Sequence, residues 1–170
     1  MELVPAAVQG KAGLARRSLQ MLELSSLGSE SPTVVADGDA MRYYPAFDLP
    51  ERAALAPADP IVDRYRAQLL AVPRSDGALT IGDTHIDDQP DTFGSSEEAD
   101  EHLLARVEEI LGRRGTVRRR WTGSYLRRTD GTDCVLIATI REGVVVTAAG
   151  GMGMTAAPAF AREALACAGL

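Results

Sequence analysis

Val144-Val145-Val146-Thr147-Ala148-Ala149-Gly150-Gly151-Met152-Gly153-Met154-Thr155 sets three local signals in a row. Val144–Ala148 is β-branched and apolar, which predicts a buried strand. Gly150, Gly151 and Gly153 predict a tight turn, where positive φ and close backbone approach carry little steric cost. The Ala-rich segment Ala156–Ala168 predicts a helix that starts near Thr155 and runs to Gly169, the C′ residue. A strand, a glycine turn and a helix start leave backbone N–H groups at the positive end of a helix dipole. Such an end suits an anionic or electron-rich ligand atom. The glycines lack G-x-G-x-x-G spacing, and no Walker lysine accompanies them. An ordinary strand-to-helix connection, with glycines for packing, explains the local pattern equally well.

The 170 residues are enough for one domain, or one domain and a piece of another. Apolar residues make up 45%, which supports a core and excludes a disordered chain. The 18 basic and 24 acidic residues give a net charge of −6, against bulk nucleic-acid binding. Cys134 and Cys167 are far apart in apolar stretches, which predicts buried, reduced thiols and a cytoplasmic protein. No apolar run reaches membrane-spanning length. Met1-Glu2-Leu3-Val4-Pro5 lacks the basic and apolar regions of a signal peptide.

Several further elements are legible in chain order. The second half of Leu14–Leu24 predicts a strand, Thr33–Ala36 a short one, and Asp37-Gly38-Asp39 a turn. Ala40–Tyr44 predicts another strand. Phe47–Pro60 holds prolines at 50, 57 and 60 and predicts a surface excursion, with a helical turn at Ile61–Tyr65. Asp76-Gly77 between Gln68–Val72 and Ala78–Thr84 predicts a hairpin. After an acidic loop at Ile86–Ser96, the apolar stripe Leu103, Leu104, Val107, Ile110 and Leu111 predicts an amphipathic helix over Glu97–Leu111. Ser95 or Ser96 caps it and Gly112 stops it. Thr116–Leu126 and Cys134–Ile140 predict strands, with turns at Asp130-Gly131 and Arg141-Glu142-Gly143. The sum is α+β: a mostly antiparallel sheet with two clear helices.

Three groups of residues are candidates for chemistry. On a strand, Asp83, His85 and Asp87 share one face and could bind a hard or borderline metal, the basis of a rival hydrolase reading. The plainer reading is a strand end entering an acidic loop, with Asp83 capping. His102, the only other histidine, lies on the polar side of a helix, so no metal ligand is assigned. Arg113–Trp121 is basic beside an aromatic, but a strand edge protected by charge is favoured over single-strand nucleic-acid binding. Arg42, with Tyr43 and Tyr44, could hold a carboxylate or phosphonate through a guanidinium fork; a strand facing solvent alternately is the competing account. No Ser–His–Asp set, partnered cysteine or paired carboxylate can be argued.

An ordered set of segments resembles the FAD-dependent amine and amino-acid oxidoreductases. They are Leu19-Gln20-Met21, Met41–Phe47, Gly77–His85, Arg120–Tyr125 and Gly150–Thr155. That group includes D-amino-acid oxidase, D-amino-acid dehydrogenase and sarcosine oxidase. The branch associated with phosphonate degradation is the most similar. The resemblance runs from about Arg16 to Ala168. It implies an antiparallel substrate domain interleaved with a Rossmann-like FAD domain, of which this chain looks like the C-terminal part. Residues 14–140 would supply the substrate-domain portion and 141–170 the last strand, glycine turn and helix of the FAD domain.

By the same resemblance, Gly150, Gly151, Met152, Gly153, Met154 and Thr155 would lie against the flavin of FAD. Arg42, Tyr44 and His85 would face a small amine or amino-acid substrate. The catalytic residues stay unassigned, because a neutral amine can give hydride directly to a well-placed flavin. The G-x-G-x-x-G half that seats the FAD diphosphate is absent from these residues. That leaves open a non-catalytic remnant, or a partner chain carrying the missing half. Two departures leave the substrate open: Ser124-Tyr125-Leu126 follow Trp-x-Gly where several relatives have Arg-Pro, and Tyr43 stands where the similar branch has His.

Overall fold

Leu14–Leu24 forms one long strand, β1, rather than the half-length one expected. The computed structural model describes residues 13–28, 33–87, 95–130, 136–140 and 143–169. The described residues form β2 (Val35–Ala36), α1 (Ala40–Tyr43), α2 (Pro60–Tyr65), β3 (Leu70–Pro73), β4 (Leu79–Gly82) and β5 (Ile86–Asp87). After these come α3 (Glu97–Leu111), β6 (Val117–Arg128), β7 (Leu136–Ile140), β8 (Gly143–Thr147) and α4 (Gly153–Cys167). Short 3-10 turns occupy Pro45–Phe47, Pro50–Ala54 and Gly150–Met152. The fold is α+β and mostly antiparallel, as expected. The main sheet has the order β2-β3-β4-β1-β5, with β6 also on β1.

The chain divides into two compact units, residues 18–123 and residues 1–17 with 124–170. In the first, the β3–β4 hairpin forms about Asp76-Gly77, where Gly77 has φ +79°. Asp76 Oδ1 accepts from Ala78 N at 3.1 Å, the local bond that makes Asp a good turn residue. The registers Leu22↔Ile81, Ala71↔Ile81 and Leu24↔Leu79 line apolar side chains across three strands. Leu103, Leu104 and Val107 of α3 complete that buried cluster. Ser96 Oγ caps α3 by accepting from Ala99 N at 3.4 Å, and Gly112 ends it at φ +73°.

Ala40–Tyr43 is helical, not the expected strand. Asp37 Oδ1 accepts from Asp39 N at 3.1 Å, and Gly38 O accepts from Met41 N at 3.1 Å. The turn therefore rolls on into a helical turn, which the Arg42–Asp39 pair at 3.1 Å reinforces. The β preference of the tyrosines needs cross-strand packing to be expressed, and Pro45 then stops the helix.

In the second unit, β7 and β8 form a hairpin with Ile140 opposite Gly143. The strand is thus where it was expected, but it is not buried: Val146 is 38% exposed. The glycine turn is one 3-10 turn with Gly150 at φ +57°, and α4 begins at Gly153, two residues before Thr155. Gly169 has φ +73° just past the helix, in keeping with its expected role as terminator. Cys167 is exposed, contrary to the buried thiol expected from its apolar neighbours. Cys134 and the turns at Gly131 and at Arg141-Glu142 lie outside the described residues.

Candidate functional site

The first unit holds a polar cluster between α1, the end of α2 and the segment joining β4 to β5. Asp59 accepts from Ile61 N at 2.8 Å to cap α2, and Arg66 closes it with φ +46°. That exit turns the Arg66 carbonyl to His85 Nδ1, at 3.1 Å. A carbonyl can only accept, so Nδ1 carries the ring hydrogen. His85 Nε2 then faces Asp83 Oδ2 at 3.4 Å. Tyr43 stacks on the imidazole, with centroids 3.9 Å apart at 25°, and meets Tyr44 edge-on at 5.0 Å.

Gln68 lies at the centre. Its Nε2 donates to Asp83 Oδ1 at 3.2 Å and to Tyr44 Oη at 3.4 Å. The residue is 1% exposed, and its Oε1 is buried without a hydrogen-bond partner among the described residues. Burial pushes the Asp83 carboxyl up to about 6, against a smaller downward pull from the Gln68 hydrogen bond. No motif marks Gln68. The sequence signal was a polar residue at the head of an apolar run.

The expected substrate residues fall into two environments. Tyr44 is 37% exposed, and its Oη accepts from Gln68 Nε2. Arg42 Nε binds Asp39 Oδ1, and its Nη2 donates to Ala56 O at 2.5 Å, so much of its fork is engaged within the chain. His85 was expected to face substrate, but it is 4% exposed with both ring nitrogens engaged.

The metal reading does not survive the geometry. Residues 83–85 lie between β4 and β5, so Asp83, His85 and Asp87 do not share one strand. Asp87 pairs instead with Arg66 at 3.7 Å. No group of three His, Cys, Asp or Glu side chains among the described residues could hold a metal ion. The plainer expectation is revised too, since Asp83 bonds Gln68 rather than capping a strand end.

The basic run also meets protein partners. Arg120 Nε lies 2.7 Å from Asp100 Oδ2, Arg118 lies 3.5 Å from Asp76, and Arg114 pairs with Glu101. Asp100 further accepts from Gln20 Nε2, while Ser96 N donates to Gln20 Oε1 at 2.8 Å. This network ties the start of α3 to β1 and β6.

Gly150–Thr155 belongs to the other unit. No acidic side chain stands in the first turn of α4, and no side chain caps it. A Cβ added to Gly150 or Gly151 would meet no atom within 4 Å, and Met154 is 93% exposed. The amide-bearing end of the helix is therefore bare on its approach side.

The described residues thus give an antiparallel sheet with a buried polar cluster in one unit and a strand, glycine turn and helix in the other. The family model for DAO, FAD dependent oxidoreductase, matches residues 12–166, and the chain belongs to that family. Among solved structures, the chain is similar to glycine oxidase from Geobacillus kaustophilus, with a TM-score of 0.54 at 18% identity. The match covers 91% of this chain and 35% of that one, so this chain spans about a third of the length of that enzyme. At such identity the likeness is one of fold. No protein of curated function matches the sequence. No helix among the described residues is long and apolar enough to cross a membrane.

Proposed function

We propose that this chain is the C-terminal portion of an FAD-dependent oxidoreductase that takes hydride from the carbon bearing the amine of an amino acid or related amine. Residues 14–140 would be the substrate-domain portion. Residues 141–170 would be the last strand, turn and helix of the FAD domain. The observation that carries this reading is the bare, uncapped turn at 150–155, lying inside the matched family region. FAD, when bound, supplies the two-electron acceptor. The first-turn N–H groups of α4 would face the negative charge that builds on the ring edge. Tyr44, with the remaining donors of Arg42, would orient an anionic group of the substrate, and a carboxylate or a phosphonate fits equally. The phosphonate-degradation branch agrees with that chemistry. No side-chain base is required for a neutral amine.

The test is reconstitution. Purified with added FAD, this chain is expected to retain far less than one flavin, because residues 1–170 contain no G-x-G-x-x-G. Adding a polypeptide with a dinucleotide-binding half should restore the visible flavin spectrum, and an amino-acid substrate should bleach it. Gly151→Leu should prevent that recovery while leaving the fold intact, since the new side chain enters open space. One tightly held flavin per chain without the added half would refute the proposed division. Restored flavin that no amine bleaches would favour the non-catalytic reading.

A further inference from the structure

We propose that Gln68 is a positioning residue that makes Tyr44 a hydrogen-bond donor to an anionic oxygen of the ligand. The argument follows the direction of hydrogen atoms. The Arg66 carbonyl forces the hydrogen onto His85 Nδ1, at 3.1 Å. His85 Nε2 and Asp83 Oδ2 lie 3.4 Å apart, and one proton between them relieves two facing lone pairs. Whichever atom holds that proton, Asp83 Oδ1 remains an acceptor and receives one Gln68 hydrogen at 3.2 Å. The other Gln68 hydrogen goes to Tyr44 Oη at 3.4 Å. Tyr44 therefore accepts on its inner side, and its own hydrogen points away from Gln68.

Asp83 sets this orientation of the Gln68 amide, although it leaves Gln68 Oε1 without a partner among the described residues. Turning the amide over would place Oε1 against Asp83 Oδ1, oxygen to oxygen. The observed orientation leaves one buried acceptor unmet, which native interiors seldom tolerate without a reason. The two nearby guanidinium groups have carboxylate partners other than Asp83: Arg66 lies 3.7 Å from Asp87 and Arg42 3.1 Å from Asp39. Half-exposed Tyr44 is the end of this chain of bonds that meets solvent.

That the oxygen belongs to the substrate rests on the function proposed above, but the direction of the Tyr44 hydrogen does not. The test therefore needs neither flavin nor turnover. The chain carries tyrosine labelled at the ring carbon bearing oxygen, with Tyr44→Phe to assign the signal. Acetate and methylamine are titrated separately. Acetate is expected to move the Tyr44 signal and methylamine to leave it. Gln68→Glu, which cannot donate when ionised and would draw the Tyr44 hydrogen inward, should weaken the acetate response by roughly tenfold. Gln68→Met should weaken it less. Asp83→Asn should retain it, since Asn can accept from Gln68 and donate to His85. A wild-type chain indifferent to acetate would overturn the proposal. So would a folded Gln68→Glu chain with an undiminished response, or a folded Asp83→Asn chain that loses it. Failure of amine oxidation alone would count against the proposed function and not against this assignment.

Discussion

Asp83→Asn is expected to stabilise the chain at neutral pH and not in acid. The carboxyl is raised from its ordinary 3.8 to about 6, chiefly by burial. Between those values the folded state holds a proton that the unfolded state releases. Stability therefore falls as pH rises through that window. The rise corresponds to about 3 kcal/mol at pH well above 6. The side chain keeps 16% of its exposure, and the water that reaches it trims the expected gain to about 2 kcal/mol. Asparagine carries no charge to bury, keeps an acceptor for Gln68 and offers a donor to His85. Urea unfolding at pH 4, 5, 6, 7 and 8, followed by the fluorescence of Trp121, the only tryptophan, reports the difference directly. The variant and wild type should be nearly equal at pH 4 and diverge steadily to pH 7. A constant difference across the range, or a more stable wild type at pH 8, would show that burial does not govern Asp83.

Three further substitutions probe the frame around the cluster. Leu103→Ala empties a fully buried position in the α3–sheet core and should cost about 3 kcal/mol in the same unfolding assay. Gly115→Ala places a Cβ 2.9 Å from both Leu24 Cβ and Leu27 Cδ2, so a loss of about 1–3 kcal/mol is expected, readable as a lower melting temperature. Ser96→Ala removes the α3 cap and a bond to Tyr65 Oη at 3.0 Å. It should cost about 1 kcal/mol, with faster amide exchange confined to the first turn of α3.

The elements read well from sequence are those with local causes. The helix Glu97–Leu111 has its own cap, apolar stripe and glycine stop. The hairpin at Asp76-Gly77 has its turn chemistry, and Gly169 its positive φ. Where partners far along the chain decide, the reading shifts. Ala40–Tyr43 curls into a helix, because the bonds to Asp37 Oδ1 and Gly38 O carry the preceding turn on into a helical turn. Composition alone makes Val144–Ala148 a buried strand, yet burial depends on what packs over a strand, and Val146 stays exposed.

The antiparallel α+β plan, the helix Glu97–Leu111 and the turn at Asp76-Gly77 follow from the order of residues alone, since turns, caps and apolar periods act within a few positions. Only the folded chain joined Gln68 to Tyr44 and Asp83, moved His85 indoors and dispersed the supposed metal face. Those outcomes depend on groups far apart in the chain, such as Tyr44 with Gln68 and Tyr43 with His85, meeting in the folded state. Hydrogen-bond direction and desolvation act only once such groups are in contact.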